Sequence, residues 1–487
     1  MVLNGRDINL KFVAVIFVLA MLSPIYFIAL FNYSGSKLIY TIFTIIIHWL
    51  LVAGFLEKAI FFEAFIGFYF WLGFWLKFSI KVAFFDANFI ESVGLFDGLP
   101  SSFDYVLLIV IVALSGLLIS QYIRRYFFSG YSGINYRVSV TALADLYFKY
   151  RRTILFIFFV GVIFIGYTNY EYVIYQKGQI SQSTMPSFIN SVYKWLLIFG
   201  LSSFVSMFFY FEINRYRALS YLVIVLGLIE SILSGASMLS RGGIFNIGAL
   251  IYGCLVDSNF EKRSYKLKSI FILFSLILVL FIGSIYLVNY ARIVNGFIDV
   301  NGHAKVVEIS EQQIQDVTTT LFIDRWVGIE GVMAVSSLSN LGYDLLKRSF
   351  QEVYNEHQIS FYDHLIHSNY INVDFNRHHF TSMPGLIAYL FYSGSLLFVF
   401  FSMMFLGCLA SLIEIFSFKA SAGNIIFASL IGQIIAYRFS NFGYVPNQTY
   451  LLISAILINS TMFYGFIKVA TYAQKIITSK DMKLLKH

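Results

Sequence analysis

The feature that most constrains this chain is a succession of apolar runs, each about the twenty residues that a helix needs to cross a bilayer. Inside lipid every backbone N–H and C=O must be satisfied within the segment itself, so runs of this length and number predict helices. About twelve can be marked, near 12–31, 38–56, 59–80, 104–122, 153–170, 190–212, 218–239, 242–256, 269–289, 384–415, 424–439 and 449–467. Composition agrees: 59% hydrophobic and 12% charged residues, with a mean hydropathy of +0.75, fall far outside the soluble globular range. The expected fold class is an all-α polytopic membrane protein. The first run has no small-residue cleavage site after it and reads as a retained helix. Cys254 and Cys408 both fall inside spans, which leaves no disulfide framework and no cysteine metal site.

Lysine and arginine set the orientation, because short cytoplasmic loops are enriched in both. With the amino terminus inside, one side collects Arg6, Lys11, Lys58, Arg124, Arg125, Arg137, Lys149, Arg151, Arg152, Arg215, Arg217, Lys262, Arg263, Lys266, Lys268, Lys419 and the lysines from Lys468 to Lys486. Both termini are then cytoplasmic. The net charge of +8 is a topology signal rather than a nucleic-acid footprint.

This organisation divides the chain into transmembrane helices over 1–289, a large extracytoplasmic, periplasmic-side loop with amphipathic helices over 290–383, and further transmembrane helices with a basic cytoplasmic tail over 384–487. Connections in helical bundles are usually a few residues long, and a loop this long is commonly a lid or a site. It holds six of the eight histidines: His303, His357, His364, His367, His378 and His379. Phe322, Trp326, Ile329 and Met333 form one helical stripe, and Leu346, Phe350, Val353 and His357 another; both are expected to lie along the membrane surface. Asp363, His364 and His367 have a spacing that two-histidine metal sites use, though such pairs arise by chance in a histidine-rich loop, and no metal is expected.

Within the run from Ala218 to Val256 one arginine interrupts the apolar sequence, in Ser240-Arg241-Gly242-Gly243. The positive-inside rule disfavours it on the outer side, where snorkelling to lipid headgroups is its bland role. Against that, Gly242 and Gly243 let the backbone approach a ligand while the next helix offers its N-terminus to an anion. Arg292, Arg325 and Arg377 share this side, as does Arg438 with Tyr444 near it. Guanidinium groups stay charged and grip phosphate oxygens bidentately, so a convergent set suits a diphosphate leaving group. No phosphate-binding glycine loop, dinucleotide fingerprint or nucleophile elbow is present. No cofactor is expected.

The architecture, together with SRGG after a span, Arg292 in NYAR, Arg325 in FIDRWVGIEG and the SMPGLIAYLFYSGS opening of the next span, resembles the Wzy-type oligosaccharide repeat-unit polymerases of bacterial O-antigen and capsule assembly. The likeness covers roughly residues 200–400. It implies a GT-C-like, metal-independent, inverting glycosyltransferase in the bacterial inner membrane. A growing glycan would pass from undecaprenyl diphosphate to the non-reducing end of an incoming lipid-linked unit. Arg241, Arg292 and Arg325 match the family's functional arginines by position, with Arg377 and Arg438 as further candidates. The proton acceptor stays open among His378, His379, Asp324 and Glu330. The implied partners are the lipid-linked oligosaccharide, the bilayer and a chain-length regulator, with no nucleic acid. An O-antigen ligase fits the same features; a lipid-linked oligosaccharide flippase or transporter is the other rival, for which Glu63 and Glu230 speak.

The topology makes a direct prediction. In a cysteine-free background, Ser337→Cys and Ser264→Cys should label from opposite sides with an impermeant thiol reagent, and labelling of the Ser264 variant alone in intact spheroplasts would invert the orientation.

Overall fold

The computed structural model describes residues 16, 18–128, 131, 141–216, 220–240, 242–257, 282, 283, 286, 326–353, 355–372, 379, 381–443 and 446–484. The described chain is all-helical. Six helices are long and apolar enough to cross a membrane, and five more apolar helices have 10–17 residues. The protein is membrane-embedded.

The helices are α1 (Ser23–Asn32), α2 (Lys37–Ala53), α3 (Phe61–Phe70), which continues through a wide π turn (Trp71–Leu76) into α4 (Lys77–Phe84), and α5 (Pro100–Phe127). There follow α6 (Thr141–Lys149), α7 (Arg151–Tyr172), α8 (Ser187–Trp195), which runs through a second π turn (Leu196–Gly200) into α9 (Leu201–Tyr216), α10 (Tyr221–Ser237) and α11 (Gly243–Val256). The last third comprises α12 (Ile329–Ser336), α13 (Tyr343–Phe350), α14 (Phe361–Ile366), α15 (Leu386–Phe391), α16 (Leu396–Ala420), α17 (Ile425–Ser440) and α18 (Pro446–Leu484). α5 lies along α16, and α17 lies between α3 and α11.

Charged groups staple one end of this bundle. Glu63 at the start of α3 takes Nε and Nη2 of Arg124 at the end of α5, at 2.8 and 2.6 Å, and Arg125 joins at 3.4 Å. Glu414 near the end of α16 accepts the first amides of α3, Phe61 and Phe62, at 2.9 and 2.7 Å, and the Tyr131 hydroxyl. Glu212 of α9 binds Arg151 and the amide of Ser220. Arg124, Arg125 and Arg151, which the sequence assigns to one side, thus share one end. Glu63 is spent in these pairs.

The opposite end departs from the sequence reading in two ways. The apolar run over 384–415 is two helices, not one: α15 stops at Phe391, and Ser393, Gly394 and Ser395 turn the chain before Ser395 caps α16 through the Phe398 amide. Gly394 sits at φ +65°, which favours glycine. The stripe containing Trp326, Ile329 and Met333 does not lie on a surface, because every residue of α12 from Ile329 to Val335 is buried, Glu330 included. Phe322 lies outside the described residues. In the second stripe Leu346 is buried on α13, Phe350 packs edge-on against Tyr389, and Val353 and His357 are exposed beyond the helix end. α12 and α15 are therefore two short buried helices packed on each other, inserted from the bundle end like a pair of plugs.

Backbone contact without side chains permits the insertion. Gly73, inside the π turn, faces Gly328, and a Cβ on either would run into the carbonyl of Val327 or Gly73. Gly331 meets the Pro384 carbonyl in the same way. Gly328→Ala should consequently destabilise the protein by about 1–3 kcal/mol or more, since overpacking against backbone has no flexible atom to yield. Gly161→Ala, where nothing lies within 4 Å, should leave the detergent-solubilised melting temperature unchanged or slightly raised. Equal melting temperatures for the two variants would refute the close contact.

Candidate functional site

Five segments meet at the plugged end. The loop after α7 provides a platform: the Lys177 amide donates to the Met238 carbonyl at 2.9 Å, tying it to the turn between α10 and α11. The Gly178 carbonyl accepts the His379 amide at 3.2 Å, and the Ser181 amide donates to Glu356 Oε2 at 2.9 Å. Asn169 of α7 holds the loop by donating to the Tyr175 and Ser237 carbonyls and accepting the Tyr175 amide.

Arg241, Arg292, Arg325, Arg377, His378, Tyr444 and Asp324 lie outside the described residues. Of the sequence candidates, the structure locates Gly242, Gly243, Arg438, His379 and Glu330. Gly243 starts α11 with its carbonyl accepting the Ser231 hydroxyl at 2.7 Å, and a Cβ there would strike the Ser231 carbonyl, so the tight approach of α10 and α11 needs glycine. Gly242 faces the Tyr437 hydroxyl of α17. Next along that helix, Arg438 is half-buried; its Nε donates to Thr449 Oγ1 at 2.9 Å, and among the described residues no carboxylate pairs with it. Its charge is felt at Tyr175, whose phenol is pushed above its ordinary value by burial while Arg438 opposes that shift and Glu356 adds to it.

His379 is the best-defined candidate for proton transfer. Its Nδ1 lies 2.9 Å from the Glu356 carbonyl. A carbonyl only accepts, so Nδ1 carries the hydrogen and the neutral ring's lone pair is on Nε2. Burial pushes this imidazole below its usual pKa, against the opposing pull of the Glu356 carbonyl, which keeps it neutral near pH 7.

Glu330 has a different role from the base considered for it. It is buried and forms an ion pair with Lys77 of α4, whose Nζ also donates to the Trp326 carbonyl at 3.1 Å. The pair sets Trp326 against Phe245, 6.0 Å between ring centres; Phe245 in turn packs on Tyr437 at 5.5 Å and Tyr69 at 5.6 Å. Half-buried rings of Trp326, Phe245 and Tyr437 thus form one aromatic set, with the Tyr437 hydroxyl facing Gly242. The Asp363, His364 and His367 set does not converge: Asp363 is buried, accepting the Ser360 hydroxyl and the Ser382 amide, while both histidines are exposed.

Sequence reasoning missed Tyr175, Glu356, Tyr437 and Lys77. Only Lys77 carried a signal, an ionisable residue within an apolar span. No family model matches the chain, and no curated protein or solved structure matches it.

A pH dependence follows from His379. Its folded-state pKa is depressed, so the stability it contributes is complete above its unfolded value of about 6.5 and is lost as pH falls through the lower folded value. Hydrogen exchange of the Lys177 and Gln182 amides, corrected for intrinsic rates, should show steady protection at about pH 7–8 and a decline below about pH 6. His379→Gln should remove that decline; identical protection at both pH values in the wild type would contradict the assignment.

Proposed function

We propose that the chain is a twelve-span, GT-C-like glycosyltransferase of the bacterial inner membrane, an oligosaccharide repeat-unit polymerase of the Wzy type. In this reading the plugged end faces the periplasm and takes a glycan linked to undecaprenyl diphosphate. The observation that carries it is that Arg438 and His379 both reach the loop after α7: the half-buried guanidinium, with no carboxylate partner among the described residues, is felt at Tyr175, and His379, whose tautomer is fixed, is bound through its amide by the Gly178 carbonyl. A cation held this way in an apolar setting is poised for an anionic ligand.

The chemistry runs as an inverting displacement. A sugar hydroxyl of the incoming unit attacks the anomeric carbon of the donor glycan as the bond from that carbon to the diphosphate oxygen breaks. The hydroxyl proton passes to His379 Nε2, and the electron pair leaves with the diphosphate. Arg438 meets that developing charge, joined in this reading by Arg241, Arg292 and Arg325. Phe245, Trp326 and Tyr437 border the reacting sugars or the first isoprene units.

Deletion of the gene, followed by gel analysis of surface polysaccharide, tests the reading. Loss of the ladder with one capped repeat remaining is the expected result; loss of all capping would make the chain a ligase, and an intact ladder would end the proposal. On complementation, Arg438→Ala and His379→Ala should lower polymer on the order of 100-fold at normal membrane levels. Arg241→Lys should fail nearly as badly as Arg241→Ala, because lysine keeps charge but loses the planar fork. Wild-type polymer from Arg241→Lys at matched expression would remove the bidentate contact.

A further inference from the structure

At the same end, but on the other side of the inserted helix α12, lies a cleft of about 350 Å³, within the size range of small-ligand sites. It opens between the first turns of α5 and the end of α12, lined by Asp97, Ser101, Ser102, Tyr105, Ser336 and Ser337. Among the described residues no lysine, arginine or histidine lines it. Asp97, Ser102, Ser336 and Ser337 are held as acceptors. Asp97 is fixed by the Leu99 amide at 3.0 Å and by the Ser102 hydroxyl. The hydroxyls of Ser336 and Ser337 donate to the carbonyls of Met333 and Ala334, at 3.0 and 2.8 Å, which leaves their lone pairs for a ligand. Tyr105 packs edge-on against Phe391 at 6.0 Å and stays 42% exposed, an aromatic surface beside the polar one.

A lining rich in acceptors, with a carboxylate and, among the described residues, no cation, repels phosphate and suits a ligand that brings hydroxyl donors without negative charge. A carboxylate beside serine hydroxyls and an aromatic ring matches a neutral saccharide, whose vicinal hydroxyls donate to Asp97 while its C–H face rests on Tyr105. We propose that this cleft is a carbohydrate subsite separate from the arginine and histidine cluster. That its sugar belongs to the glycan being extended rests on the function proposed above; the ligand class rests on the lining alone.

The geometry connects the two places. Ser336 and Ser337 close the end of α12, while its start carries Glu330 and follows Trp326. Eight residues of helix span about 12 Å, so a saccharide in the cleft is held at a fixed distance from Trp326 by a rod that is buried along its length. A subsite so placed grips an oligosaccharide by a unit remote from the reacting bond.

The test uses the full-length protein in nanodiscs and, as probe, the free oligosaccharide released by mild acid from the host's own lipid-linked pool, with no diphosphate attached. Binding is read by saturation-transfer NMR and titration calorimetry. Asp97→Asn should weaken binding at least about tenfold, the loss of one charge-assisted hydrogen bond. Ser101→Trp, at an exposed position, should block it. Arg438→Ala should bind as the wild type does. Monodisperse elution and an unchanged melting temperature show that each variant is folded. The proposal is overturned by a folded wild type that binds no saccharide, by undiminished binding in both cleft variants, or by binding lost with Arg438→Ala instead. Loss of binding on adding a chelator would assign the cleft to a cation and overturn it as well. No lipid-linked donor, diphosphate or turnover enters this measurement, so its failure is distinct from a failure of the polymer ladder.

Discussion

The ion pair between Lys77 and Glu330 is the contact on which the plugged end depends. Two charges taken out of water cost several kcal/mol each, repaid only by close pairing and by further hydrogen bonds, here the one from Lys77 to the Trp326 carbonyl. Such a pair adds little net stability, yet removing one partner leaves a buried charge and costs about 3–5 kcal/mol. Its effect is therefore positional: it admits one seating of α12 and penalises others. Gly73 and Gly328 let the backbones touch where the π turn has widened α3, and such turns recur at functional sites. Trp326, the aromatic ring set and the serine-lined cleft all take their places from this one docking.

The two ends of the bundle spend their charges differently. At one end Glu63, Glu212 and Glu414 are each satisfied by arginines, helix amides or a tyrosine hydroxyl, which ties α3 to α5 and α16, and α9 to α7. At the other, Arg438 is given a threonine hydroxyl and the neighbourhood of a phenol rather than a carboxylate. Within the bundle, Glu230 of α10 accepts the hydroxyl of Ser202 from α9 and that of Ser234 one turn along its own helix, a satisfied polar contact between α9 and α10. One end is built for rigidity, the other keeps a positive charge in reserve.

Much of this was legible in the sequence because hydropathy is a local property. The spans over 59–80, 104–122, 153–170, 218–239 and 242–256 each fall on a helix of the described chain, and the Gly242–Gly243 turn was recognisable from residue type and spacing. What was hidden is non-local. A stripe such as Trp326, Ile329 and Met333 fits either an interfacial helix or a buried one, and only the partner decides; here the partners are Gly73 and Lys77, some 250 residues away, with Pro384 after it. Hydropathy also ran across Ser393–Gly394–Ser395, because three small residues scarcely dent an apolar average. Glu330 looked like a base candidate on residue type, and its role as counter-ion became visible only with Lys77 beside it.

The brevity of α12 and α15, eight and six residues, bears on how the protein is made. Segments that short fall well below the roughly twenty apolar residues that commit a helix to the bilayer during synthesis, and α12 carries a carboxylate besides. The insertion machinery has no reason to retain α12 as a span, so it leaves as connecting chain and enters the bundle only after the long helices have assembled, whereas α15 belongs to the apolar run that continues into α16. Until then the slot beside the Trp71–Leu76 turn stands open and Lys77 lacks its carboxylate. Biogenesis thus has two stages, lateral insertion of the long helices and later docking of α12 from one side, and quality control that senses an uncovered lysine within a span would act on the interval between them.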